Sequence, residues 1–209
     1  MNHPGVRRPA ARTIRTIAII CLAFGGSAKG QAIIEPPFGL RWGDSPQKLI
    51  DWAAKHSLDV NLSLPGDQPA LRILRIQPKK GPVPDTKAGA VEGRFLAGKL
   101  FEVTVHYFDP DATSEIMAAR FQETRHQITA EQGKLIANQQ QRTVDDQFVT
   151  RTESFHREPV RGLFILLAFT EVEDLLRGKR EARYSVIYRN DNLKAEITRS
   201  LGQPGIPPR

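Results

Sequence analysis

Residues 91–108 constrain the fold of this chain more than any other stretch. Val91, Gly93 and Phe95 recur at every second position, and beyond Ala97-Gly98 so do Phe101, Val103, Val105 and Tyr107. A period of two belongs to a strand with one buried face. Gly98 supplies the positive φ that a tight hairpin needs. A slip of one residue turns every side chain over, so the two apolar faces coincide only if the connection holds an odd number of residues. The expectation is a three-residue turn with Gly98 in the left-handed region. The other face then carries Glu92, Arg94, Glu102, Thr104 and His106, a wetter side opposite a dry one.

Strands are also expected at 58–64 and 71–76, separated by Pro65-Gly66-Asp67, and at 147–155, 161–170 and 182–189. The stretch 162–169 is apolar on both faces and belongs inside the sheet. Consecutive strands without intervening helices cannot form parallel crossovers, so the sheet is antiparallel. A helix over 46–56 starts at Ser45-Pro46, with Ser45 as cap; Leu49, Ile50, Ala53 and Ala54 form its apolar side and Asp51 and Lys55 stay outside. A second helix over 112–132 places Met117, Phe121 and Ile128 on one stripe and Arg120, Glu123 and Arg125 elsewhere, with Gly133 at its end. Residues 77–89 hold three prolines, two glycines and four charges and read as a solvated loop.

The fold class is therefore α+β: an antiparallel sheet with both helices packed on one face, in two similar helix-plus-strands halves at about 45–108 and 111–189. A short helix over 192–199 closes a single domain spanning 31–200, and 201–209, rich in proline and glycine, is a flexible tail.

Residues 1–30 have the zones of a cleavable export signal: Arg7, Arg8, Arg12 and Arg15 without an acid, an apolar run over 16–24, then small residues to Ala28. That run is about half of what a bilayer-spanning helix requires, so no transmembrane anchor is expected in the mature chain. Cys21 follows Ile19 and Ile20, not the small residue a lipoprotein signal requires, and reads as signal core. Removing the five basic residues of 1–30 changes the balance from 30 against 23 to 25 against 23, a net charge of +2 instead of +7. The pI of about 9.8 thus describes mostly the discarded peptide, and the argument for a nucleic-acid partner goes with it. Cys21 is the only cysteine, so the mature chain has neither disulfides nor thiolate metal sites. The expected location is periplasmic or extracellular.

The opening Phe38-Gly39-x-x-Trp42-Gly43-x-Ser45, leading into a helix and meandering strands, resembles the start of many small exported bacterial proteins of unassigned function. The helix-then-strands duplication is similar in outline to β-lactamase-inhibitor-like folds and to small outer-membrane assembly lipoproteins. These resemblances imply binding and not catalysis, and they transfer no site residue.

His56, His106, His126 and His156 show no ligand-pair spacing, and neither a metal nor a cofactor is expected. His106 alternates with Glu102 and Thr104 on one strand face that Arg94 can join; Arg94, Glu102 and His106 are the candidate binding residues. Glu153 and Ser154 point to opposite sides of their strand and cannot both serve His156, and no Gly-x-Ser-x-Gly elbow is present in the mature chain. Asp109, Asp111 and Glu115, like Glu171, Glu173 and Asp174, match no calcium loop and read as structural. Arg177-Gly178-Lys179-Arg180 offers a weak contact for an anionic surface, tempered by flanking acids, and reads first as a solvated turn. Trp42 and Trp52 read as filling between helix and sheet. The functional expectation is an exported, non-enzymatic binding or envelope-associated module for an unknown envelope protein or ligand. Its rival is an envelope hydrolase using polar residues on the exposed sheet face.

Overall fold

The computed structural model describes residues 34–202. The expected signal at 1–30, with Cys21, and residues 203–209 of the expected tail lie outside the described residues. The elements in chain order are α1 (Pro46–Lys55), β1 (Asp59–Ser63), β2 (Leu71–Gln77), β3 (Ala90–Leu96), β4 (Lys99–Tyr107), α2 (Ser114–Gln132), β5 (Ile136–Val144), β6 (Phe148–Val160), β7 (Leu163–Asp174), β8 (Lys179–Asn190) and α3 (Asp191–Gly202). The strands form one antiparallel sheet in the order β1-β2-β3-β4-β8-β7-β6-β5. Each half is a helix followed by a four-stranded meander, and the last strands of the halves pair with each other.

Alternation decides which face is covered. Leu74, Ile76, Val91, Phe95, Val103 and Val105 meet Leu49 and Ala53 of α1 in one buried cluster. Ile165, Leu167, Phe169, Tyr184 and Val186 meet Met117, Phe121 and Ile128 of α2 in the other. The stripe expected on α2 is the one that is buried, whereas in α1 Ala54 faces solvent and Ile50 is only half-buried. Gly93 is where α1 comes closest to the sheet: a Cβ there would stand 2.5 Å from Leu49 Cδ2. Tyr107 and Tyr184, opposite each other in register, stack at 4.4 Å with ring planes 7° apart where the halves join.

The β3–β4 hairpin satisfies the odd-residue requirement differently from the expected three-residue turn. Its loop is two residues, Ala97 and Gly98, with φ of 48° and 76°, and the odd residue is a bulge. Leu100 pairs with Phe95 while Glu102 pairs with Arg94, so Phe101 is extra. Leu100 consequently takes the place in the buried cluster expected for Phe101, which lies under the Lys194 ammonium, 5.4 Å from its ring centroid.

Four other expectations are corrected. Ser45 occupies the cap position of α1 but its side chain makes no capping bond; the turn is tied instead by Arg41 N donating to Asp44 Oδ2 at 2.8 Å. The 77–89 loop is not merely solvated, since Val83 and Ala88 are fully buried in the first cluster. The last helix runs to Gly202, past the expected end at 199. β5 was not expected at all: its sequence, IANQQQRTV, has no apolar alternation, and every residue in it is exposed. Both tryptophans are half-buried fillers: Trp42 donates Nε1 to Ile34 O at 2.6 Å, and Trp52 packs on Phe38 at 4.7 Å.

Candidate functional site

α1 and α2 cover one side of the sheet. On the other side, the register lines up side chains in rows across the strands. One row runs Ile73, Arg94, Glu102, Arg189, Phe164; the next runs Arg75, Glu92, Thr104, Ile187, Leu166, His156. A third joins Ala90, His106, Ser185, Ala168 and Ser154, and a fourth joins Arg183, Thr170, Thr152 and Gln141. α3 turns back towards this side, carrying Lys194 to Phe101, and buries Ile197 outside both helix-covered clusters.

The candidate residues Arg94, Glu102 and His106 share this face. Arg94 Nε reaches Glu92 Oε1 at 3.0 Å and Glu102 Oε1 at 3.3 Å. His106 does not touch Arg94 or Glu102 in this network; it joins through Glu92, whose Oε2 stands 3.9 Å from His106 Nε2 and 3.9 Å from the Arg75 guanidinium. On its other side His106 Nδ1 shares a hydrogen bond of 3.0 Å with Ser185 Oγ from β8.

The two carboxylates sit in opposite electrostatic situations. Glu92, beside His106 and Arg94, is held down to about 2 from an ordinary 4.5, against a burial that pushes it up. Glu102 is more deeply buried, and there burial wins: its carboxyl is raised although Arg94, Arg189 and Lys194 pull it down. Glu92 is thus a firmly ionised hub, and Glu102 is a carboxyl for which ionisation is costly.

Glu92 and Ser185 were not singled out from sequence, for different reasons. Glu92 alternates with Arg94 and was legible as a face-mate; nothing local gives it a better claim than Glu102, because its advantage is the cross-strand pairing with Thr104 next to His106. Ser185 lies 79 residues from His106, and only the β4–β8 pairing joins them.

Other polar groups singled out from sequence pair with one another. Asp109 accepts from Arg120 Nη1 at 2.9 Å and from Asp111 N at 3.1 Å, which organises the entry to α2. Glu171 accepts from Ser114 Oγ and pairs with Arg151 at 3.4 Å. In the basic turn Arg177 pairs with Asp174, Lys179 with Glu181 and Arg180 with Glu173. His156 lies on the open face with Ser154, and its Nδ1 is buried without a hydrogen-bond partner. Among the described residues no group of three His, Cys, Asp or Glu side chains is placed to hold a metal ion, and no helix is long and apolar enough to cross a membrane. Two surface clefts of about 480 Å³ and about 560 Å³ lie elsewhere: the first is lined by Lys79, Lys80 and Phe108 among others, the second by Lys87, Glu123 and Tyr184. Neither includes Arg94, Glu102 or His106.

No family model, curated protein or solved structure matches this chain.

Proposed function

We propose that this chain is an exported binding module of the cell envelope that engages a partner through the sheet face opposite α1 and α2. One observation carries the reading. Across β5–β7 that face presents neutral polar side chains at three consecutive rows: Ser154, then Thr170, Thr152 and Gln141, then Thr150 and Thr143; on β8 the same rows end in Ser185, Arg183 and Glu181. The half-buried Ile187, Leu166 and Phe164 lie beside them. Groups that lose little on desolvation beside apolar area are what a protein-sized contact uses, and a broad face suits a macromolecule better than a small substrate. The charged end does not detract from this, because Glu92, Arg94, Glu102 and Arg75 neutralise one another. The zoned residues 1–30 support export, and the helix-plus-four-strand repeat is in keeping with a likeness to β-lactamase-inhibitor-like proteins.

The test is capture of the partner from an envelope fraction with the tagged mature chain, followed by Thr152→Arg with Thr170→Arg. The expected result is a captured protein lost in the double variant while the fold stays intact by circular dichroism. Retention of the partner by the variant would overturn the choice of face. N-terminal sequencing of exported protein should find the chain starting near residue 31; Met1 at the start would overturn export by cleavage.

One contact favours a second reading, an envelope hydrolase. Ser185, His106 and Glu92 stand in the order hydroxyl, imidazole and carboxylate, with a hydrogen bond of 3.0 Å at the first link; at the second, His106 Nε2 is buried without a hydrogen bond, 3.9 Å from Glu92. The serine lies within a ladder strand, whose backbone N–H groups already bond to neighbouring strands, so a ready oxyanion site is missing from the arrangement. A fluorophosphonate probe that labels the wild type but not Ser185→Ala would establish this reading; an unlabelled wild type would remove it.

A further inference from the structure

We propose that β5 is a self-pairing edge, through which two copies of this chain join antiparallel strands about a two-fold axis at Gln140. β5 is the outermost strand of its half, with β6 on one side and no described strand on the other. An unpaired edge of this kind offers a row of free N–H and C=O groups and is commonly blunted by brevity, proline, lysine or a covering element. β5 has nine exposed residues, no proline and no lysine, and Arg142 is its only charge. A bulge near Asn138 is the one blunting device, and it lies outside the central Gln139-Gln140-Gln141. The opposite edge, β1, is five residues long and is followed by Pro65-Gly66.

The occupant is argued from the order of residues in IANQQQRTV. An axis at Gln140 sets Ile136 against the partner copy's Val144, Ala137 against Thr143, Asn138 against Arg142 and Gln139 against Gln141. Apolar side chains more than half exposed, Ile136 at 55% and Val144 at 54%, then meet at both ends. Charge meets no like charge anywhere along the pairing, and the glutamines, already bridged along the strand from Gln139 Nε2 to Gln141 Oε1 at 2.8 Å, form a ladder in the middle. A twofold contact of this kind closes on itself, and it would join two eight-stranded sheets edge to edge.

Sedimentation velocity of the chain over a concentration series tests the proposal, read with two double variants at exposed positions. Gln139→Lys with Gln141→Lys sets like charges opposite each other twice and should raise the dimer dissociation constant at least about tenfold. Gln139→Lys with Gln141→Glu sets opposite charges across the axis twice and should lower it several-fold. Hydrogen exchange should show those amides of 138–142 that point away from β6 protected only at concentrations where the dimer forms. A monomer at the highest soluble concentration overturns the proposal, as does a dimer indifferent to both variants. Growth beyond the dimer also overturns it, since that is the mark of a non-closing edge contact such as β1 on β5.

Discussion

Replacing Glu92 with glutamine isolates the electrostatics of the open face. Glu92 is the hub of Arg94, His106 and Arg75, and its side chain is only 15% exposed. A carboxyl that titrates at about 2 instead of 4.5 favours the folded state by roughly 3 kcal/mol, at about 1.36 kcal/mol for each decade. Arg94 is 42% exposed, and solvent screening of that part of the network reduces the expected loss to about 1–2 kcal/mol. The sign follows from a depressed carboxyl. The stabilisation is present in full above the unfolded value near 4.5 and disappears as pH falls towards about 2. Urea denaturation of wild type and Glu92→Gln at pH 7 should therefore differ by about 1–2 kcal/mol, and at pH 2.5 the gap should nearly close. A penalty of the same size at both pH values would mean that packing, not charge, is what Glu92 supplies. No penalty at pH 7 would refute the hub outright.

Glu102→Gln should behave in the opposite way: burial raises this carboxyl, so the variant is neutral or more stable at pH 7, and its advantage fades as pH falls to 4.5 and below; a loss above about 2 kcal/mol at pH 7 would contradict this. Gly93→Ala should cost about 1–3 kcal/mol because the new Cβ meets Leu49 Cδ2 at 2.5 Å, and combined with Leu49→Ala it should cost less than the two single losses together, read by thermal melts as a double-mutant cycle. Phe121→Ala should cost about 3–5 kcal/mol by the same melts, since Phe121 joins Phe155, Phe169 and Tyr184 with ring centroids 5.0–6.2 Å away.

Where periodicity was driven by burial, the sequence could be read directly. The β3–β4 pair, the α2 stripe and the antiparallel class all follow from apolar residues that had to face one way. β5 escaped because its partners supply the whole reason for its conformation: IANQQQRTV is exposed throughout and is held by the β6 ladder alone. The bulge at Phe101 escaped for another reason. Parity dictated one odd residue in the hairpin, and Ala97-Gly98, a pair able to adopt positive φ twice, moved it out of the turn and into the strand. For the candidate site, the shared face of Arg94, Glu102 and His106 was legible from alternation. The links from His106 to Ser185 and from Glu102 to Lys194 were not, because they depend on β8 and α3 arriving from more than 75 residues away.

The junction of the halves shows how the two faces of the sheet differ. Val105 pairs with Val186, and a local two-fold axis through that pair makes Tyr107 equivalent to Tyr188 and Val103 equivalent to Tyr184. These are the side chains that face α1 and α2, and close packing keeps them apolar or aromatic on both sides of the axis. One residue along, on the open face, the equivalents are Thr104 with Ser185, His106 with Ile187 and Glu102 with Arg183. Neither α1 nor α2 packs against them, and there the two halves part: a neutralised charge network lies on one side of the axis, and on the other Arg183 stands beside neutral hydroxyl and amide groups. A face with unlike ends can accept a partner in only one orientation, which a symmetric face could not impose. The proposed binding role needs that polarity, and the covered side of the sheet, with its matched valines and tyrosines, could not supply it.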